Sequence, residues 1–93
     1  MAYFMKHLKN GDLRVWWMPQ VTTGDVFYSP VDSPREAQKL IGTLAYYDQF
    51  QYRNNIKPDY SNAGGLEVFE DGQWLEWEDP ETGDNIEDWE PEE

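Results

Sequence analysis

The tetrapeptide Ser33-Pro34-Arg35-Glu36 constrains the chain more than any other stretch, because it marks where its clearest helix must begin. A serine before the first turn can accept from a free backbone amide. Proline at the first helical position has no amide hydrogen to leave unpaired, and Glu36 can reach back to the Ser33 amide and complete a capping box. Ala37, Leu40, Ile41, Leu44 and Tyr47 or Asp48 then recur at helical spacing. This pattern predicts an amphipathic helix of about four to five turns. It ends near Arg53, at Asn54-Asn55. Gly42 interrupts it at a cost of about 1 kcal/mol relative to alanine, which reads as the mark of a close packing contact. The aromatic run Tyr46, Tyr47, Phe50 and Tyr52 reads as core and rim.

The flanking segments are strand-like. Tyr3 to Leu8 can form a strand that Asn10-Gly11 turns back on Leu13, with Lys9 opposite Asp12; the alternative is a loosely attached extension. Leu13 to Val21 is rich in β-formers, and Pro19 puts that part of the strand at an edge or bulge. Thr22-Thr23-Gly24-Asp25 makes a turn into a strand from Val26 to Val31, where Pro30 again suggests an edge. Leu66 to Glu70 and Gln73 to Glu78 form a hairpin around Asp71-Gly72, a type I′ signal. Its register sets Val68 against Leu75 and Leu66 against Trp77 on the core face. On the other face Phe69 meets Trp74 and Glu67 meets Glu76. Directly opposed carboxylates destabilise a sheet unless Arg14, a lysine or a partner neutralises them.

This order implies an α+β fold, a small antiparallel sheet of four to five strands packed against one α-helix. Residues 1–79 form the single domain, with 1–12 a peripheral hairpin strand. Residues 80–93 read as an acidic, disordered tail, in which only Ile86 and Trp89 are large apolar residues able to dock. The tail's charge is lopsided. Of a net charge of −12, residues 67–93 contribute thirteen acids and no base, whereas residues 1–66 hold seven bases against six acids. Such a surface repels nucleic acid and anionic membranes and attracts basic proteins. The plainer alternative is a solvated tail that keeps the chain soluble.

Cysteine is absent, which excludes disulfides and thiolate metal sites. His7 is the one histidine and sits between Lys6 and Lys9, so no metal and no His-based nucleophile is expected. No apolar run is long enough to span a bilayer and no signal peptide is visible. The expectation is a soluble intracellular binding protein, non-enzymatic and without cofactors.

Two surfaces are candidates for binding. The first is the long polar stretch between helix and hairpin, with Tyr52, Arg53, Asn54, Asn55, Lys57, Asp59, Tyr60, Ser61, Asn62, Gly64 and Gly65 as its residues. Turn amides and two cations can hold an anionic group while a tyrosine stacks on a base, which suits a nucleotide-like small ligand. The same stretch also reads as a plain surface loop. The second is the mixed sheet face, where Trp16, Met18, Phe69 and Trp74 can pair two copies as a homodimer. Alternatively the tail folds back over that face with Trp89 as anchor.

Val15-Trp16-Trp17-Met18-Pro19-Gln20-Val21, and the run Asn54-Asn55-Ile56-Lys57-Pro58-Asp59-Tyr60-Ser61-Asn62-Ala63-Gly64-Gly65-Leu66 continuing through Glu67-Val68-Phe69-Glu70-Asp71-Gly72-Gln73-Trp74, resemble a family of small uncharacterised bacteriophage and prophage proteins. The resemblance covers roughly residues 13 to 78 and leaves the acidic tail peripheral. It brings no catalytic residues. It implies a phage accessory role in host takeover, superinfection control or counter-defence, by sequestering a nucleotide-derived signal or a host protein. A second role is an acidic decoy that imitates nucleic acid and occupies a host DNA- or RNA-binding protein.

Overall fold

Among the described residues four strands and one helix follow one another as β1 (Leu13–Met18), β2 (Phe27–Val31), α1 (Pro34–Arg53), β3 (Ala63–Glu70) and β4 (Gln73–Glu76). The computed structural model describes residues 8–19, 25–56 and 62–91. The strands make one antiparallel sheet in the order β2-β1-β3-β4, and α1 crosses one face of it, giving the expected α+β fold.

The helix starts as its sequence requires. The Ser33 hydroxyl accepts from the Glu36 amide at 3.1 Å. The Glu36 carboxylate accepts from the Asp32 amide at 2.6 Å, one residue earlier than a standard capping box places it. At the other end Asn55 adopts a left-handed φ of 61°. The Asn55 amide donates to the Tyr52 carbonyl and the Ile56 amide to the Gln51 carbonyl, a Schellman stop with asparagine in the place usually held by glycine.

The β3–β4 hairpin has the predicted register, Val68 against Leu75 and Phe69 against Trp74, around a turn in which Asp71 and Gly72 both have positive φ. Asn10 braces this turn from the neighbouring Asn10-Gly11 turn, its side-chain oxygen accepting from the Asp71 amide at 2.9 Å.

β1 departs from expectation. It is a central strand, flanked by β2 and β3, and ends at Met18, so Pro19 follows the strand and leaves no gap in a ladder. Leu13 pairs with Val31 on one side and Val68 on the other, which leaves no edge for Leu8 to pair with it. The remainder of the expected first strand, residues 3–7, and most of the turn at 22–25 lie outside the described residues. Pro30 does sit in an edge strand, β2.

The core lies between the sheet and α1. Val15, Val31, Ala37, Leu66 and Ile86 are buried together, with Leu13, Leu40, Ile41, Leu44, Trp77 and Trp89 packed around them. Full burial of side chains such as Val15 or Leu66 stabilises by about 1.5–3 kcal/mol each. Ile86 and Trp89 come from the segment that composition reads as disordered. Trp89 meets Trp77 edge-on at 5.6 Å, and its carbonyl accepts from the Gln38 side chain at 2.7 Å. Turns tied by Asp79, Thr82 and Asn85 side chains connect these anchors. The last third is therefore part of the domain as far as residue 91, and it packs on the helix side of the sheet. It does not fold over the face that carries Phe69 and Trp74.

The outer turns of α1 also differ. Tyr46, Tyr47, Phe50 and Tyr52 are exposed, Tyr46 by 70 %, because the sheet is too small to reach the C-terminal half of a 20-residue helix on that side. Asp48, not Tyr47, continues the core stripe.

The glycines test this packing. A Cβ at Gly42 would meet nothing within 4 Å, so the residue marks no close contact. Gly42→Ala should stabilise by about 0.5–1 kcal/mol, measured by urea unfolding. A Cβ at Gly64 would overlap the Trp17 ring. Gly64→Ala should cost about 3 kcal/mol in the same measurement.

Candidate functional site

Trp16 and Trp17 sit opposite Gly65 and Gly64 across the β1–β3 ladder. Successive side chains point to opposite faces of a sheet. The Trp17 ring therefore lies over Gly64 on the helix side, and the Trp16 indole lies over Gly65 on the open side, where an added Cβ would come within 2.5 Å of its nitrogen. Gly64 and Gly65 are thus strand residues shaped to seat two rings.

The Trp17 indole donates to the Asp48 carboxylate at 3.0 Å, and the Asn62 side-chain amide donates to the same oxygen at 3.1 Å. Asp48 is 4 % exposed. One buried carboxylate on α1 therefore fixes β1 and the C-terminal end of the long loop together. Asp48→Ala should leave both donors short of a partner and cost about 3 kcal/mol, whereas Asp48→Asn keeps an acceptor and should cost less. Thermal unfolding of the two variants checks the order.

These contacts redistribute the expected loop site. Asn62 is committed to Asp48, and Gly64 and Gly65 belong to β3. Asn54 bonds the Phe50 carbonyl through its side chain at 2.8 Å. Tyr52, Arg53 and Asn55 stand exposed where the helix ends. Lys57, Asp59, Tyr60 and Ser61 lie outside the described residues. The described part of the loop thus brings together a brace and an exposed helix end.

Trp16, Met18, Phe69 and Trp74 do share one face, the side of the sheet away from α1, where all four are half-buried. Phe69 and Trp74 pack edge-on at 5.2 Å. Sequence reasoning offered Arg14 as one possible counter-charge there but missed its stacking partners. Its guanidinium lies 3.9 Å from the Tyr28 ring centre and 4.2 Å from that of Trp74, and its Nε donates to Glu67 at 2.7 Å. Arg14 thereby neutralises one of the two opposed carboxylates, Glu67 and Glu76. The partnership with Tyr28 was hidden because it depends on β2 pairing with β1 in the register Arg14↔Pro30, Trp16↔Tyr28. Beside this cluster, a groove of about 300 Å³ runs between Asp12, Arg14, Tyr28, Asp32 and Trp74.

A lysine cannot reproduce a planar group held between two rings. Arg14→Lys should cost about 1 kcal/mol. Arg14→Ala should cost more, and added salt should restore part of that loss by screening Glu67 from Glu76. Urea unfolding at two ionic strengths measures both.

Among the described residues no group of His, Asp and Glu is placed to hold a metal ion, and no helix is long and apolar enough to cross a membrane. The carboxylates of the last third are distributed over an anchored surface. Glu81, Glu87, Asp88 and Glu90 are exposed on the turns that Ile86 and Trp89 hold in place.

The family described as superinfection exclusion gene product 17 matches residues 12–93. The chain belongs to this family of phage superinfection exclusion proteins. The match begins at the start of β1 and includes the acidic segment, which the resemblance in sequence had left peripheral. The superinfection exclusion protein of Salmonella phage P22 is 46 % identical over 78 residues, which is 83 % of this chain and 75 % of that relative. No solved structure matches. The family description gives the biological role, superinfection exclusion, and leaves the mechanism to the geometry.

Proposed function

We propose that this protein acts in superinfection exclusion by binding and not by catalysis, and that its binding surface is the acidic C-terminal third. The observation that carries the reading is that the backbone bearing these carboxylates is anchored as far as residue 91. A decoy for a nucleic-acid-binding protein needs negative charge on a rigid surface, and Ile86, Trp89 and the Asp79–Asn85 turns provide one. The partner is a protein with a basic surface, met in the host cytoplasm. Nucleic acid itself is repelled by thirteen acids without a base. Occupation of a basic protein required by an incoming phage would then block its development. The open sheet face is the surface on which a second copy would pair, with Arg14 supplying the counter-charge such pairing needs.

Truncation at Asp79 would remove the core residue Ile86, so charge substitution is the cleaner test. Glu81→Lys, Glu87→Lys, Asp88→Lys and Glu90→Lys together should leave folding within about 1 kcal/mol of the parent, since all four side chains are exposed. The same variant should lower exclusion about tenfold, read as plating efficiency of a second phage, and should lose basic proteins from a host-lysate pull-down. Full exclusion by the folded variant would overturn the acidic-surface reading. Calorimetry with nucleotides and cyclic nucleotides tests the small-ligand alternative; heat that disappears in Arg53→Ala would replace the protein-binding reading.

A further inference from the structure

β3 has eight residues and β4 four, so among the described residues the first half of β3 has no strand on its outer side. Register with β4 ends at Glu67, opposite Glu76, and the Trp77 amide then donates to the Leu66 carbonyl at 2.9 Å before the chain leaves the edge. Peptide groups along an antiparallel strand face its two neighbours alternately. Phe69 bonds Gly11 and Asp12 on the β1 side, and Leu66 bonds Trp77 on the β4 side. By the same alternation Gly64 turns its amide and carbonyl outward, and no side chain on Gly64 or Gly65 screens them.

The chain returns beside this edge at Asn85–Glu87. It is held there by the buried Ile86 side chain and by Gln38, which reaches the Ile86 carbonyl at 3.4 Å. The amides of Glu87, Asp88 and Trp89 all close on Asn85, and among the described residues none of them reaches β3. Two cavities of about 400 Å³ each open along this gap, and Ala63, Gly64, Ile86 and Glu87 line both of them. Their remaining walls differ in character. One adds Trp17, Ile41 and Gly42, and the other adds Trp16, Glu67 and Glu76.

We infer that this slot accepts an extended segment of a partner protein, added to β3 as a further strand, with Lys or Arg alternating with apolar residues. The proposal rests on the basic-partner reading above and specifies how that partner is held. Unpaired strand edges are templates for another chain, and strand addition draws affinity from main-chain bonds and specificity from alternate side chains. Pairing along Ala63–Gly65 spans about 10 Å, since the outward carbonyl of Leu66 is already taken by Trp77. Side chains on one side of the added strand meet Glu76 and Glu87, since Glu67 already pairs with Arg14. Those on the other side meet the apolar wall of Trp17 and Ile41. The charge of the slot selects the segment, and Gly64 supplies the hydrogen bonds.

The test titrates the full-length, 15N-labelled protein with the peptide Lys-Val-Lys-Val-Lys-Val, and with the same peptide N-methylated at alternate residues. Methylation keeps the charge and removes the donors. The unmodified peptide should shift the Gly64 amide resonance and slow its exchange with solvent. The methylated peptide should bind about tenfold more weakly, and Glu76→Gln with Glu87→Gln should weaken the unmodified peptide. Equal binding of both peptides, or shifts confined to the acidic turns with Gly64 unmoved, would overturn strand addition and leave binding by the acidic surface intact. Absence of binding by either peptide would also overturn the slot. The exclusion assay on the four-lysine variant decides the broader reading separately.

Discussion

The Asp48 carboxylate is the point on which the rest of the structure depends. It is the one buried charged group of the described residues, and it accepts from Trp17 on β1 and from Asn62 at the entry to β3. A buried carboxylate is costly unless hydrogen-bonded, so its position allows few arrangements of helix, strand and loop. Trp17 can reach Asp48 only if its ring lies over a residue without a Cβ, and Gly64 provides that. The Trp-Trp and Gly-Gly pairs are separated by 46 positions in sequence but form one interlock in the sheet. This explains physically why the two stretches that resemble phage proteins occur together.

Most of the fold was legible in the sequence where local chemistry decides it. The helix start at Ser33-Pro34, its stop at Asn54-Asn55 and the Asp71-Gly72 turn each follow from the dihedral and hydrogen-bonding habits of a few adjacent residues. The reading failed where the deciding contact is distant. The Pro19 end of β1 was placed at an edge or a bulge because Pro19 was counted inside the strand, and nothing local shows that β3 returns to cover the second side of β1. Tyr47 was kept as a core candidate beside Asp48 because apolar periodicity cannot anticipate a carboxylate held by two donors from other elements. Of the candidate site, the sheet-face residues were legible from strand alternation. Of the loop residues, Asn62, Gly64 and Gly65 have turn-like identities but structural employment, which depends on the distant Asp48, Trp17 and Trp16.

The two faces of the sheet solve different electrostatic problems. On the helix side the single charge is enclosed and hydrogen-bonded. On the open side Arg14 is stacked between Tyr28 and Trp74 and bonded to Glu67, which ties β1 to both neighbouring strands. The rings remove water from one side of the guanidinium without removing it from its carboxylate. That arrangement lets a face with two opposed glutamates stay ordered, a condition for any partner to use it.

Charge and core are joined in the last third of the chain. Thirteen acids repel one another, and a segment of that composition does not order itself. Here it is ordered because Ile86 fills the space that one helix cannot cover over the sheet, and Trp89 closes against Trp77. Some carboxylates and amide groups are spent on local turns, which cost little to form once the two apolar anchors are set. The acidic surface therefore exists only as part of the folded domain. Its charges stand on an anchored backbone, whereas a tether would average their spacing away. A partner that recognises spacing can distinguish such a surface from a generic polyanion, which is the property the proposed decoy requires.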